Sequence, residues 1–294
     1  MIELRHLRQF IAVAEELNFR QAADRIHIDQ TPLSRTVRDL EDQLGVQLFV
    51  RGPRKLSLTP AGARMLQEAR KVLIRIERAQ RAVRETDARF RAPLRVGVAD
   101  GLAQPKLSDC LVGWRSVAPE IHLELTEMRA PELAQALRRE EIDAGFSFGI
   151  AECETLAQHP AWSYTAMALV PLGHELASRP VLDLAELFAY PVLTYHSERQ
   201  PGASRQLRTI LQRHAEVPTI AGEACTLNGY VTRVAAGMGV GLIDAGHVST
   251  LRRSDLLAVP LREQEQITTF VIHKHHRCGL SDAVQRFVTH SKVL

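Results

Sequence analysis

The chain has 294 residues, 45% of them hydrophobic, which is enough for two or three domains with buried cores. Its formal charge of +3 is unevenly divided: residues 1–92 hold 18 Lys+Arg against 12 Asp+Glu, and residues 93–294 hold 19 against 22, so a basic N-terminal part suited to a polyanion joins a mildly acidic body. No apolar run has the length of a membrane span, and Glu3, Arg5 and Arg8 interrupt the stretch a signal peptide would need, so the expectation is a cytosolic protein with no membrane partner.

In chain order, Leu7, Phe10, Ile11, Ala14 and Leu17 have the spacing of an amphipathic helix ending near Asn18. Ala22, Ala23 and Ile26 mark a second, short helix. After a tight turn, "DQTPLSRTVRDLEDQLG" predicts a third: Leu33, Val37, Leu40 and Leu44 form one apolar stripe, Asp29 stands at the N-cap and Gly45 at the end. "VQLFVRGPRKLSLT" reads as two short strands around Gly52-Pro53, and Thr59-Pro60 as the cap and first residue of a long helix reaching about Arg89. On that helix Leu66 and Leu73, and likewise Ala69, Ile76 and Val83, fall seven apart. Three heptads with charged outer faces predict a partner helix in a second copy, with Gln80 as a polar residue in the seam. From residue 93 strands alternate with helices: "LRVGVAD", "IHLELTEM", "PELAQALRREEIDAGFSF", "YPVLTYHS" and "NGYVTRVAAGMG". This pattern predicts a mostly parallel sheet in two α/β units, about 93–165 and 166–265, with the last strand and helix folding back. Cys110, Cys153, Cys225 and Cys278 contain no C-x-x-C pair and read as reduced structural thiols. His273, His275, His276 and Cys278 read as a solvated turn rather than a metal site.

Two short helices, a turn and a third helix with a polar first turn make a helix-turn-helix pattern, whose last helix lies in the DNA major groove. Gln30, Thr31, Pro32, Ser34, Arg35 and Arg38 sit on or near its exposed start. Gln and Arg suit bidentate contacts to adenine and guanine edges, and Pro32 offers an apolar face to a thymine methyl. Arg51, Arg54 and Lys55 form a basic wing that can reach phosphates or a minor groove.

Residues 4–62 resemble the N-terminal domain of the LysR-type transcriptional regulators. The resemblance is carried by "QTPLSR", "LEDQLGVQLFVR" and "LTPAG" leading into the long helix. It extends over the whole chain, and "LELTEM", "EEIDAGFSF" and "RVAAGMGVGLI" are most similar to regulators of aromatic-compound degradation. It implies a winged helix-turn-helix domain at 1–59, a linker and dimerisation helix at 60–92, and a periplasmic-binding-protein-like effector domain at 93–294, with residues 266–294 completing the first subdomain. It also implies double-stranded promoter DNA, a small-molecule effector, a dimer through the linker helix, a tetramer of such dimers and RNA polymerase as partners, with no cofactor. The dimer contact would be Leu66, Ala69, Leu73, Ile76 and Val83.

The effector would sit between the subdomains, at the carboxyl ends of strands. Gly101, Leu102, Arg129, Ala130 and Phe148 would line it from one side; Tyr195, His196, Ser197, Thr226 and Leu227 would line it from the other. Gly101, Ala130 and Phe148 stand where the acid-sensing relatives carry hydroxyls and an arginine. The expected ligand is therefore aromatic or otherwise apolar, with few charges. The competing readings are an enzyme and a solute-binding protein with a basic appendage. No nucleophile elbow, dinucleotide fingerprint or phosphate loop supports catalysis: "GVADG" and "AAGMGVG" lack the spacing.

Overall fold

The computed structural model describes residues 2–51, 56–85, 93–151, 153–213, 218–275 and 280–292. The chain divides into two compact units, Met1–Phe90 and Arg91–Leu294.

The first unit holds α1 (Leu4–Glu16), α2 (Phe19–Arg25), α3 (Gln30–Leu44), β1 (Phe49–Arg51), β2 (Leu56–Leu58) and α4 (Pro60–Glu85). Asn18 caps α2, its Oδ1 accepting the amides of Arg20 and Gln21 at 2.9 and 3.3 Å. Leu7, Phe10, Val13, Ala22, Leu33, Val37 and Leu40 are buried in one core, so the apolar stripes meet as the periodicity predicts. β1 and β2 pair antiparallel, with Arg51 opposite Leu56. Glu41 is only 2% exposed, and its Oε1 accepts the amides of Leu48 and Phe49 at 2.7 and 3.1 Å, tying α3 to the start of the wing. Thr59 caps α4 through the Gly62 amide at 2.9 Å. A Cβ on Gly62 would lie 2.0 Å from the Leu48 carbonyl oxygen, so only glycine lets α4 start against the strand.

The dimer expectation needs correction along half its length. Ala69 is 1% exposed, and Leu66 and Leu73 pack with it in the core of their own unit, beside Leu7 and Phe10. The Arg70 guanidinium also binds Glu15 of α1 at 2.6 Å. The first half of α4 is thus a wall of the first unit. Further along, Val72 is 43% exposed, Ala79 is exposed, Val83 is 70% exposed and Ile76 is half-buried. These four follow spacings of four, three and four, and they form the more exposed stripe of the helix.

The second unit holds β3 (Leu94–Ala99), α5 (Pro105–Val117), β4 (Leu123–Met128), α6 (Ala130–Arg139), β5 (Ala144–Ser147), β6 (Leu156–Pro171), α7 (Leu184–Phe188), β7 (Val192–Tyr195), α8 (Pro201–Gln212), β8 (Ile220–Ala224), α9 (Leu227–Ala235), β9 (Gly241–Asp244), α10 (Ala245–Thr250), β10 (Leu256–Pro260), β11 (Gln266–Lys274) and α11 (Asp282–Ser291). A seven-stranded sheet runs β10-β6-β11-β5-β3-β4, with β9 also on β6, and β7 and β8 form a separate parallel pair. β3 is parallel to β4 and β5, but β11 pairs antiparallel with β5 and β6, and β6 antiparallel with β9 and β10. The sheet is therefore mixed, not mostly parallel. β6 is 16 residues long and serves both lobes, so the expected division at 165/166 falls inside one strand. A register shift between Thr269 and Phe270 separates the part of β11 that pairs with both β5 and β6 from the part that pairs with β6 alone.

The lobes are pinned together beside this ribbon. A Cβ on Gly202, in the first turn of α8, would lie 2.3 Å from the Gly149 carbonyl oxygen, so glycine permits the close approach. Gln206 of α8 donates through Nε2 to the carbonyls of Phe148 and Thr268, both at 2.7 Å, and accepts the Thr268 amide at 2.8 Å.

Candidate DNA-binding face and effector cleft

Gln30, Thr31 and Pro32 occupy the first turn of α3. Together with Arg35 and Arg38 they are exposed, and Ser34 is half-buried. Leu33, Val37 and Leu40 of the same helix are fully buried. The burial of one stripe fixes the opposite, polar face outward. Asp29 stands at the N-cap position, but its carboxylate makes no capping bond. The α3 amides at that end thus lack their usual partner, and such an end suits a phosphate. Arg51 lies at the end of β1, while Arg54 and Lys55 lie outside the described residues.

Between the lobes lies a cleft of about 600 Å³. Asp100, Gly101, Met128 and Arg129 line it from the first lobe, and Arg199, Gln200, Thr226, Leu227, Asn228 and His247 from the second. Gln200 and Thr226 stand at the N-caps of α8 and α9, and Arg129 at that of α6, so three positive helix ends face this space. Thr226 caps α9 through the Gly229 amide at 3.0 Å.

The expected lining residues divide into three groups. Gly101, Arg129, Thr226 and Leu227 are at the cleft wall. Phe148 and Tyr195 instead line an inner cavity of about 20 Å³ with Leu207, Leu242 and Ile267, room for about one water. There the Tyr195 ring stacks on Tyr230, centroids 4.4 Å apart. Leu102 and Ala130 are core residues, 6% and 0% exposed, while His196 turns its Nδ1 back to accept the Glu198 amide at 3.2 Å, and Ser197 is exposed outside both spaces. Ala130 therefore does not make the cleft apolar, and Phe148 does so only in its small inner extension. The main walls carry Asp100, Arg129, Arg199 and His247, which the residue pattern did not single out as a set, apart from Arg129.

Two buried polar centres flank this space. Asp100 has a left-handed backbone (φ 65), rare for a residue with a Cβ. Its Oδ2 accepts the Ser147 hydroxyl at 2.9 Å and the Phe148 amide at 3.4 Å. Burial pushes its carboxyl up to about 6, against the opposing pull of Ser147 and of the Phe148 and Ala130 amides. The second centre is His247, whose Nδ1 binds the Asp244 carboxylate at 2.6 Å. Asp244 also accepts the His247 amide at 3.0 Å and Gln104 Nε2 at 2.8 Å. The Gln104 oxygen in turn accepts Trp162 Nε1 at 2.7 Å and the Thr269 hydroxyl at 2.9 Å. Burial raises the Asp244 carboxyl, but His247 and Gln104 outweigh it and hold it below its ordinary value. With Nδ1 donating to Asp244, Nε2 of His247 accepts the Ala103 amide of the first lobe at 3.4 Å. One chain of bonds therefore links α10 of the second lobe, both crossing strands and the first turn of α5.

His273 is not solvated: it is 6% exposed and paired with His159, while His276 and Cys278 lie outside the described residues. Among the described residues no group of three or more His, Cys, Asp or Glu side chains could hold a metal ion, and no helix is long and apolar enough to cross a membrane. Cys110, Cys153 and Cys225 are free thiols.

A winged helix-turn-helix unit followed by a two-lobed domain with a cleft between its lobes defines a DNA-binding regulator controlled by a small molecule. Residues 4–63 match the family model "Bacterial regulatory helix-turn-helix protein, lysR family", and residues 87–292 match "LysR substrate binding domain". The chain belongs to the LysR family of transcriptional regulators. It is 32% identical over 295 residues to the uncharacterized HTH-type transcriptional regulator YnfL of Escherichia coli, covering 98% of this chain and 97% of that one. It is 32% identical over 275 residues to the HTH-type transcriptional regulator BenM of Acinetobacter baylyi, covering 92% and 89%. Its fold is that of CbnR, a LysR family transcriptional regulator, with a TM-score of 0.80 at 23% identity over 99% of both chains. The same protein in complex with its target DNA gives 0.81 at 24%. These relatives are regulators, and the protein is a regulator rather than an enzyme.

Proposed function

We propose that the protein controls a promoter in the cytoplasm by placing α3 in the major groove, where Gln30, Thr31, Pro32, Ser34, Arg35 and Arg38 read bases and hold phosphates. Arg51, Arg54 and Lys55 of the wing add backbone contacts. The observation that carries this reading is the division of α3 into a wholly buried apolar stripe and an exposed polar start. Two copies join through Val72, Ile76, Ala79 and Val83 of α4, and two such dimers make a tetramer. A small molecule in the cleft biases the relative orientation of the lobes, since a ligand acts through its differential affinity for two arrangements. The bound tetramer then meets RNA polymerase at the promoter. Footprinting on the DNA flanking the protein's own gene tests the reading. A protected pair of half-sites, lost in Arg35→Ala, supports it; equal affinity for that DNA and for random duplex refutes it.

A further inference from the structure

Asp100 combines three features that a structural aspartate does not need. Its backbone is held left-handed, at some cost for a residue with a Cβ. Its Oδ2 is saturated by Ser147 and Phe148. Its Oδ1 is buried, with no hydrogen-bond partner among the described residues, and the residue as a whole is 5% exposed at the wall of the cleft. The Ala130 amide pulls on this carboxyl without forming a hydrogen bond to Oδ1, so Oδ1 is a buried acceptor short of a bonded donor. Opposite it, Arg199 is exposed at the same cleft and makes no ion pair or hydrogen bond among the described residues. It stands next to the N-termini of α8 and, across the cleft wall, α9. A cation beside positive helix ends selects a carboxylate. An acceptor on one lobe therefore faces an anion site on the other.

We propose that the effector is an amino acid, its ammonium group donating to Oδ1 of Asp100 and its carboxylate held by Arg199 and the α8 and α9 N-termini. This rests on the reading of the cleft as the effector site and names the class of ligand it takes. Met128, Leu227 and Leu251 supply the apolar surface for the side chain. Because Oδ1 is covered, entry of the ammonium requires the Asp100-Gly101 turn to shift. That turn is tied to the second lobe where the adjoining Ala103 amide donates to His247 Nε2, at 3.4 Å a long and weak bond. Binding thus exchanges a weak tie between the lobes for a ligand that bridges them.

The test is thermal-shift screening of the full-length protein with the proteinogenic L-amino acids one at a time, and with benzoate and cis,cis-muconate. Any hit is then titrated by calorimetry beside its deaminated acid and its decarboxylated amine. The amino acid should bind at least ~10-fold tighter than either truncated form, since each loses one charge-assisted contact. In Asp100→Asn the Phe148 amide requires an oxygen where Oδ2 stood, so the amide nitrogen takes the place of Oδ1 and presents a donor to the ammonium. This variant should lose the preference for the amino acid over the deaminated acid. Arg199→Ala, at an exposed site, leaves the fold intact and should weaken both. The proposal is overturned if no amino acid binds, if the deaminated acid binds equally well, or if both variants bind like the parent. Stabilisation by benzoate or muconate alone would overturn the ligand class while leaving the cleft as the effector site. A missing footprint on the flanking DNA would fault the regulatory reading instead.

Discussion

His159 on β6 and His273 on β11 meet head to head, Nε2 to Nε2 at 3.3 Å, with the rings 22° from coplanar. Nδ1 of His273 lies 3.0 Å from the Lys274 carbonyl, which only accepts, so that nitrogen carries a hydrogen. The neutral His273 ring then has a bare Nε2, and His159 donates to it. Protonating His273 would set two N–H groups against each other.

The pair makes the effector unit sensitive to acid. Burial, then the charges of Lys292, His273 and His275, hold the His159 pKa below its ordinary value. A base whose folded pKa is depressed leaves stability untouched above its unfolded value, about 6.5, and removes stability as pH falls below it. Urea midpoints of the effector unit's transition in the full-length protein should therefore drop between about pH 7 and pH 5. His159→Gln keeps a donor toward His273 without a titrating ring, and its midpoints should fall less steeply. Identical slopes for the two proteins would exclude the pair as the cause.

Arg35→Ala and Gln30→Ala should each weaken operator binding by about 1–3 kcal/mol and random-sequence binding much less. Both side chains are exposed on α3 above buried Leu33 and Val37. Competition gel shifts at fixed salt measure the ratio. Equal losses on both DNAs would place these residues on phosphates only.

The two halves of α4 should respond differently. Val83→Asp, at a 70% exposed position, should lower dimer affinity in sedimentation while the thermal stability of the N-terminal unit stays unchanged. Ala69→Asp buries a charge at a 1% exposed position and should unfold that unit instead. A dimer unaffected by Val83→Asp and by Ile76→Asp would rule out the 72–83 stripe as the contact.

Glu41→Ala leaves the Leu48 and Phe49 amides without their acceptor at a site that is 2% exposed. The expected loss is about 2–4 kcal/mol of stability in the N-terminal unit. Glu41→Gln retains a carbonyl acceptor and should lose less. A neutral effect of Glu41→Ala in denaturant titration would mean that water replaces the carboxylate.

The DNA-binding unit was nearly all legible in the sequence because its elements bury single stripes at regular spacing, as Leu33, Val37 and Leu40 do. The wing clamp was not: Glu41 sits among charged residues on α3, and its burial follows only from where β1 arrives. The α4 heptads were visible, but periodicity cannot say which partner a stripe meets. Ala69 and Leu73 meet their own unit, while Val72 and Val83 are exposed. In the effector unit, a sequence of alternating elements does not reveal that β6 continues past residue 165 into the second lobe. The cleft wall suffered most. Asp100, Arg199 and His247 lie far apart in the chain and share no spacing, so only the folded sheet brings them to one space. Ala130 and Phe148 both follow strand ends in the sequence, yet the direction of each side chain, into the core or the inner cavity, depends on packing from other elements.

The uninterrupted course of β6 has an evolutionary corollary. A gene fragment encoding one lobe would carry half of β6: residues 156–165 would lose β11, and β9 and β10 would keep only the stub at 166–171 to pair with. A crossover between relatives within β6 therefore joins half-strands fitted to different neighbours, whereas the boundary near residue 90 separates two self-contained cores. New combinations of operator and effector should arise by exchange at that boundary. New effector preferences should arise by substitution in place at the cleft wall.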